Sequence, residues 1–188
     1  MLIETARLLY APTPLSVLRE RARRAEFHAE LPVGNGSGTS SMLRVLFPEE
    51  WPGDDALQVL PIWIARRERE PGSVPWVDGV AVLRGERLAV GSLGFKGPPD
   101  PSGSVEVGYS INRSMRGRGY ATEVVAALGA WALAQPGVRR VTAECLPTNA
   151  ASIRVLEKSG FARVGRRISD AGILLLWERR PAPAGTES

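Results

Sequence analysis

A short basic turn, Arg116-Gly117-Arg118-Gly119-Tyr120-Ala121, limits the folds open to this chain more than any other stretch, because of what flanks it. Before it, residues 105–111 read as a strand with Val105, Val107, Tyr109 and Ile111 on one face and Glu106, Gly108 and Ser110 on the other. After it, Ala121, Val124, Val125, Leu128 and Trp131 recur at helical spacing until Gln135-Pro136-Gly137 stops the pattern. A strand that turns directly into a helix leaves the first helical N–H groups without partners and points the positive end of the macrodipole at them. Glycines let the backbone approach a bulky anion with no Cβ in the way. Arg116 and Arg118 add charge, so a diphosphate is a suited guest. The same residues also fit a plain basic turn. The Gly-Lys-Ser/Thr of a Walker loop is missing, and Gly117-x-Gly119 lacks the third glycine of the dinucleotide fingerprint.

Around this junction, an opening strand is predicted over 3–10, closed by Pro12-Thr13-Pro14, and then a helix over 15–30 with a basic outer face at Arg19, Arg21, Arg23 and Arg24. Residues 34–41 hold no core-forming side chain and are predicted to be a flexible stretch. A second helix is predicted from Asp54 or Asp55 toward Glu70, kinked or split at Pro61. Runs 77–83 and 88–95 flank Arg84-Gly85-Glu86-Arg87 as a hairpin. Beyond the strand at 105–111 the order is helix 120–134, strand 141–146, helix 148–159, and strands 162–168 and 172–178. A meander followed by βαβα units predicts an α/β chain with a mixed sheet and helices on its faces. With 188 residues, one domain over 1–180 and a frayed tail over 181–188 are expected.

Composition excludes several classes. One cysteine, Cys145, and one histidine, His28, leave no material for a disulfide framework or a Cys/His zinc site, so no metal is expected. Glu4 sits where a secretory leader needs an apolar stretch, and apolar runs such as 172–177 fall far short of the ~20 residues that span a bilayer. A cytoplasmic protein with no membrane partner is expected. The net charge of +4 comes from arginines scattered along the chain, with no reader motif or aromatic stacking platform, so no nucleic-acid partner is expected. An open strand edge near 172–177 suggests a homodimer.

Arg116-x-x-Gly119-x-Ala121 resembles the Arg/Gln-x-x-Gly-x-Gly/Ala signature of the GNAT acyltransferases, whose loop binds the pyrophosphate of acetyl-CoA. Downstream, Asn149-Ala150-Ala151-Ser152-Ile153-Arg154-Val155-Leu156-Glu157-Lys158-Ser159-Gly160-Phe161 is similar to the next motif of that family. It is closest to the branch of ribosomal-protein N-terminal acetyltransferases of the RimJ/RimL type. Glu4-Thr5-Ala6-Arg7-Leu8-Leu9 resembles the opening strand of that branch. The resemblance is strong over 105–161 and vague over 22–74. It implies the acyl-CoA N-acyltransferase fold: a mostly antiparallel twisted sheet with a central parallel strand pair and helices on both faces. It also implies acetyl-CoA as co-substrate and direct transfer to a primary amine, on a protein N-terminus or a small molecule, through a ternary complex.

By the same resemblance, main-chain groups of Tyr109, Ser110 and Ile111 pair with the pantetheine arm. The N–H groups of Gly117, Arg118, Gly119, Tyr120 and Ala121 hold the pyrophosphate with Arg116 beside it, and Asn149, also a natural helix N-cap, bonds the pantetheine. The family tyrosine that protonates the leaving thiolate falls at Leu156, so the usual acid is absent and Ser152 takes its place. Glu106, projecting beside Gly108 and Ser110, is the expected base, acting through a water. Cys145 alternates with Val141 and Ala143 as a packed thiol, and His28 belongs to the surface of the basic helix. Trp51, Trp63 and Trp76 are expected mainly in the core, with one or two walling an acceptor pocket built by 15–70. A non-catalytic acyl-CoA-binding regulatory module remains the alternative, kept open by Leu156.

Overall fold

The protein is described by a computed structural model that covers residues 1–34, 41–170 and 172–181. Most of the stretch expected to be flexible and of the expected tail lies outside the described residues. The elements run β1 (Ile3–Glu4), β2 (Leu8–Pro12), α1 (Leu15–Arg21), β3 (Phe27–Val33), β4 (Ser41–Phe47), α2 (Asp54–Leu57), α3 (Leu60–Arg69), β5 (Asp78–Leu83), β6 (Leu88–Phe95) and β7 (Ser104–Ile111). They continue with α4 (Tyr120–Leu133), β8 (Arg140–Cys145), α5 (Ala150–Lys158), β9 (Ala162–Ser169) and β10 (Gly172–Arg179). No helix among the described residues is long and apolar enough to cross a membrane.

One mixed sheet joins the strands in the order β1-β2-β5-β6-β7-β8-β10-β9, with the β3–β4 hairpin bridged to β6 through Leu46 and Leu88. Pairing is antiparallel along that path except between β7 and β8. Alternation along the strands separates two apolar layers. On one face Ala81, Val90, Val105 and Val107 pack with Val124, Val125 and Leu128 of α4 and Leu156 of α5. On the other, Val80, Val82 and Ala89 meet Val17 and Leu18 of α1, Leu60 of α3 and the stacked rings of Phe27 and Phe47. The mixed sheet with helices on both faces and a central parallel pair is the expected architecture.

Two expectations are corrected in the N-terminal half. The opening strand is split, because the Thr5 main-chain N–H donates to the Leu8 carbonyl at 2.9 Å and the Thr5 hydroxyl oxygen accepts from the Leu8 N–H, pinning a turn at residues 5–7. The helix expected over 15–30 ends at Arg21, whose guanidinium donates to the carbonyls of Arg24, Ala25 and Glu49. The chain then enters β3, so His28 lies exposed on a strand rather than on a helix. The split expected at Pro61 is present: α2 closes at Leu57 and α3 opens at Leu60, with the proline in its first turn, where no N–H is needed.

Candidate active site

The site is built where β7 and β8 part. Their parallel ladder joins Ser104, Val105 and Glu106 to Arg140, Val141 and Thr142 and goes no further, although β7 runs on to Ile111 and β8 to Cys145. From Val107 to Ile111, β7 keeps β6 on one side, while its other edge borders a gap. Two cavities reach this stretch. One, of about 380 Å³, lies on the α4–α5 side and is lined by Tyr109, Ser110 and Ile111, the basic turn, the start of α4 and one face of α5. The other, of about 400 Å³, lies on the α2–α3 side and is lined by Val59, Ile62, Trp63, Leu93, Phe95, Gly108 and again Tyr109 and Ser110. Tyr109 and Ser110 therefore border both.

The turn has the geometry an anion requires. Gly117 and Gly119 hold φ of 77° and 81°, and a Cβ at Gly117 would meet no atom within 4 Å, so the space above the loop is open. Gly119 caps α4 with no side-chain acceptor on the first-turn N–H groups. Arg116 folds back, its Nε donating to the Ile111 carbonyl at 3.0 Å, and its guanidinium lies 3.5 Å from Asp54. Arg116, Gly117, Gly119, Tyr120 and Ala121 all line the first cavity, and Arg118 is exposed beside them. The residues present thus fit a diphosphate: a glycine cradle, a helix N-terminus and nearby cations. Arg154 and Lys158 of α5 line the same cavity, a contribution absent from the sequence reading. Their i, i+4 spacing on the helix that Asn149 opens was the available signal.

Asn149 is the N-cap of α5, its Oδ1 accepting from the Ser152 N–H at 2.9 Å, and it also lines the first cavity. Ser152 is half-buried, with its Oγ 2.6 Å from the Tyr109 phenol oxygen, which also lies 3.2 Å from the Ser152 carbonyl oxygen. Burial pushes the Tyr109 phenol up to about 12, the neighbouring Cys145 adding to the rise and the Ser152 hydrogen bond opposing it. The thiol of Cys145 is buried in the core.

Glu106 stands apart from that group, on the other face of β7, where its carboxylate is ion-paired with the Lys96 ammonium and the Lys96 main-chain N–H donates to the Glu106 carbonyl at 2.9 Å. Trp51 is fully buried, and Trp63 lines the second cavity. Arg7, which the sequence offered only as part of an opening strand, donates from its guanidinium to the Arg118 carbonyl at 2.9 Å and so reaches the turn from the other end of the chain.

A family model described as the acetyltransferase (GNAT) domain matches residues 38–162. The uncharacterized N-acetyltransferase YjdG of Bacillus subtilis (strain 168) is 35% identical over 112 residues, covering 60% of this chain and 67% of that one. Among solved structures, a GNAT-family acetyltransferase from Bacillus anthracis superposes with a TM-score of 0.62 at 19% identity, over 96% of this chain and 98% of that one. RimL, a ribosomal alpha-N-protein acetyltransferase in complex with coenzyme A, has a TM-score of 0.64 at 13% identity, over 96% and 98% of the two chains.

Proposed function

Because the chain belongs to the GNAT acetyltransferase family, we propose that it carries the acetyl group of acetyl-CoA directly to a primary amine while both are bound. One observation carries this reading: two cavities approach the unpaired stretch of β7 from different sides and share Tyr109 and Ser110. A donor in the first and an acceptor in the second would meet there without a covalent enzyme intermediate. RimL, a protein of the same fold, is in complex with coenzyme A, which supports acetyl-CoA as the co-substrate, and the basic glycine turn favours the first cavity as the donor site.

The acetyl thioester supplies an electrophilic carbonyl and a thiol leaving group. The N–H groups from Gly117 to Ala121, with Arg116, Arg154 and Lys158, hold the phosphates. Tyr109, Ser110 and Ile111 offer the free edge of β7 to the pantetheine arm, with Asn149 opposite them. Glu106 takes the proton of the incoming ammonium through a bridging water, its carboxylate passing between that water and Lys96. The nitrogen adds to the thioester carbonyl, and as the C–S bond breaks Ser152 gives its proton to the departing sulfur while the adduct nitrogen loses its second proton, one that restores the Ser152 hydroxyl. Tyr109 is a positioning residue: its phenol stays protonated at neutral pH and donates to Ser152 Oγ, which leaves the serine proton free to point into the cleft.

Calorimetric titration of wild type and Gly119→Trp with acetyl-CoA, followed by thiol release with a panel of amines, tests the proposal. Binding that is lost in the variant, together with amine-dependent thiol release, is the expected result. No binding of any coenzyme A species by wild type would overturn it. Binding without thiol release from any amine would favour the non-catalytic module, the reading that the missing family tyrosine at Leu156 supports.

A further inference from the structure

The second cavity is unevenly furnished. Its walls are apolar, made by Val59, Ile62 and Trp63 from the α3 side and Leu93 and Phe95 from β6. Ile62 is 62% exposed. Water-facing apolar area at a cavity wall is recovered when an apolar ligand covers it. A volume of about 400 Å³ is in the range of small-molecule sites and admits an aromatic-sized body.

The charges point the same way. Two cations, Arg66 and Lys96, line the cavity. Asp78 is the only acid among the lining residues whose side chains are described. One of its oxygens lies 3.3 Å from the buried Arg67, and the other is sealed from solvent without a partner. Burial pushes the Asp78 carboxyl above its usual range, Arg67 opposing the rise, so this is no exposed anionic anchor. Glu106, the acid beside Lys96, is held by that lysine. Arg66 and Lys96 are themselves ion-paired, with Glu70 and Glu106, so an amine with several ammonium groups would have to desolvate each of them with no unengaged carboxylate among the lining residues to receive them. A single ammonium need only reach the junction at Tyr109 and Ser110.

We infer that the acceptor is a monoamine carried on an apolar body of about aromatic size, and that polycationic amines are excluded. This rests on the acetyl-transfer reading above and names the substrate class of the second cavity.

Thiol release from acetyl-CoA by the full chain would be compared for 2-phenylethylamine, a short peptide with phenylalanine first, spermidine and the aminoglycoside kanamycin. One or both phenyl acceptors should exceed spermidine and kanamycin at least tenfold in kcat/KM. The peptide arm separates a free arylalkyl amine from the first residue of a chain. Ile62→Glu, at an exposed position outside the donor site, should narrow that gap about tenfold at an unchanged melting temperature. Spermidine or kanamycin matching the phenyl amines would overturn the acceptor class and leave acetyl transfer standing. No thiol release from any amine would overturn both.

Discussion

Arg7 and Glu123 tie the first turn of the chain to the first turn of α4. The Arg7 Nε donates to Glu123 Oε2 at 2.8 Å, and the Arg7 main-chain N–H donates to Oε1 at 2.9 Å. The same guanidinium holds the Arg118 carbonyl and lies 4.6 Å from the centre of the Tyr120 ring. One side chain thereby fixes the acid at the head of α4, the carbonyl inside the basic turn and the ring that follows it. This gives a physical sense to the motif Glu4-Thr5-Ala6-Arg7-Leu8-Leu9, which in sequence resembled only an opening strand.

Loss of this clamp should cost donor binding more than chemistry. Arg7→Met removes a half-exposed ion pair, in which two guanidinium nitrogens meet Oε2, worth about 1 kcal/mol and equivalent to a roughly fivefold rise in KM for acetyl-CoA, with kcat little changed. Steady-state kinetics at saturating amine would check it. A fall in kcat at constant KM would show that Arg7 does not act through the loop.

Glu123 also sets an acid dependence. Burial raises its carboxyl, but hydrogen bonds from the Thr5 hydroxyl at 2.6 Å and from Arg7 outweigh that and hold it below the usual glutamate range. A depressed folded value means the contribution is present above the unfolded pKa, about 4.3, and is lost as pH falls through the lower folded value. Thermal melts of wild type and Glu123→Gln should therefore differ most near neutral pH and converge in acid. A gap that stays constant down to about pH 3 would remove Glu123 from the account.

Tyr109 and Ser152 should behave as one unit in turnover. Ser152→Ala is expected to lower kcat about 100-fold, at the low end of general-acid effects, and Tyr109→Phe by less. The double variant should be no worse than Ser152→Ala, because the phenol acts through the serine. With the phenol pushed up to about 12, its ionisation should add no falling limb to the pH–rate profile below about pH 10. Additive losses in the double variant would give Tyr109 an independent role.

Glu106→Gln keeps a hydrogen-bonding partner for Lys96 while removing the carboxylate proposed to accept the substrate proton. A loss of about 100-fold or more in kcat is expected, with acetyl-CoA binding unchanged in the same calorimetric titration. Wild-type turnover at every pH would exclude Glu106 as the base.

The second half of the chain was legible because local chemistry and tertiary structure agree there. Gly119 has a positive φ, the apolar positions of α4 fall on one face, and Asn149 caps α5, so each residue's local preference is also its place in the fold. Between residues 15 and 47 they diverge. Phe27 and Leu31 are both buried on β3, and their spacing of four fits a helix as well as a strand, so the basic run before them extended the apparent helix. That segment is held by pairing with β4 and by the Phe27–Phe47 stack at 5.0 Å, both of them long-range contacts invisible to a local pattern. In the site, Asn149, Ser152 and the glycines were readable as a motif. The Tyr109–Ser152 bond and the Arg7 clamp were not, because each joins segments far apart in the chain.

Leu156 offers the sharpest test of whether this site does without the family's tyrosine. The residue is fully buried, in the same apolar layer as Val124, Val125 and Phe161. A larger ring with a hydroxyl would overfill that layer, costing about 1–3 kcal/mol. For a chain of this size each kcal/mol lowers Tm by about 2–4 °C. Leu156→Tyr is therefore expected to melt lower than wild type and, placed in the Ser152→Ala background, to leave turnover unrestored, because its side chain is directed into the core. Melting curves and thiol release from the two variants decide the matter. Restored turnover would mean that α5 can turn this position toward the sulfur, and that Ser152 is one of two interchangeable proton donors on the same helix.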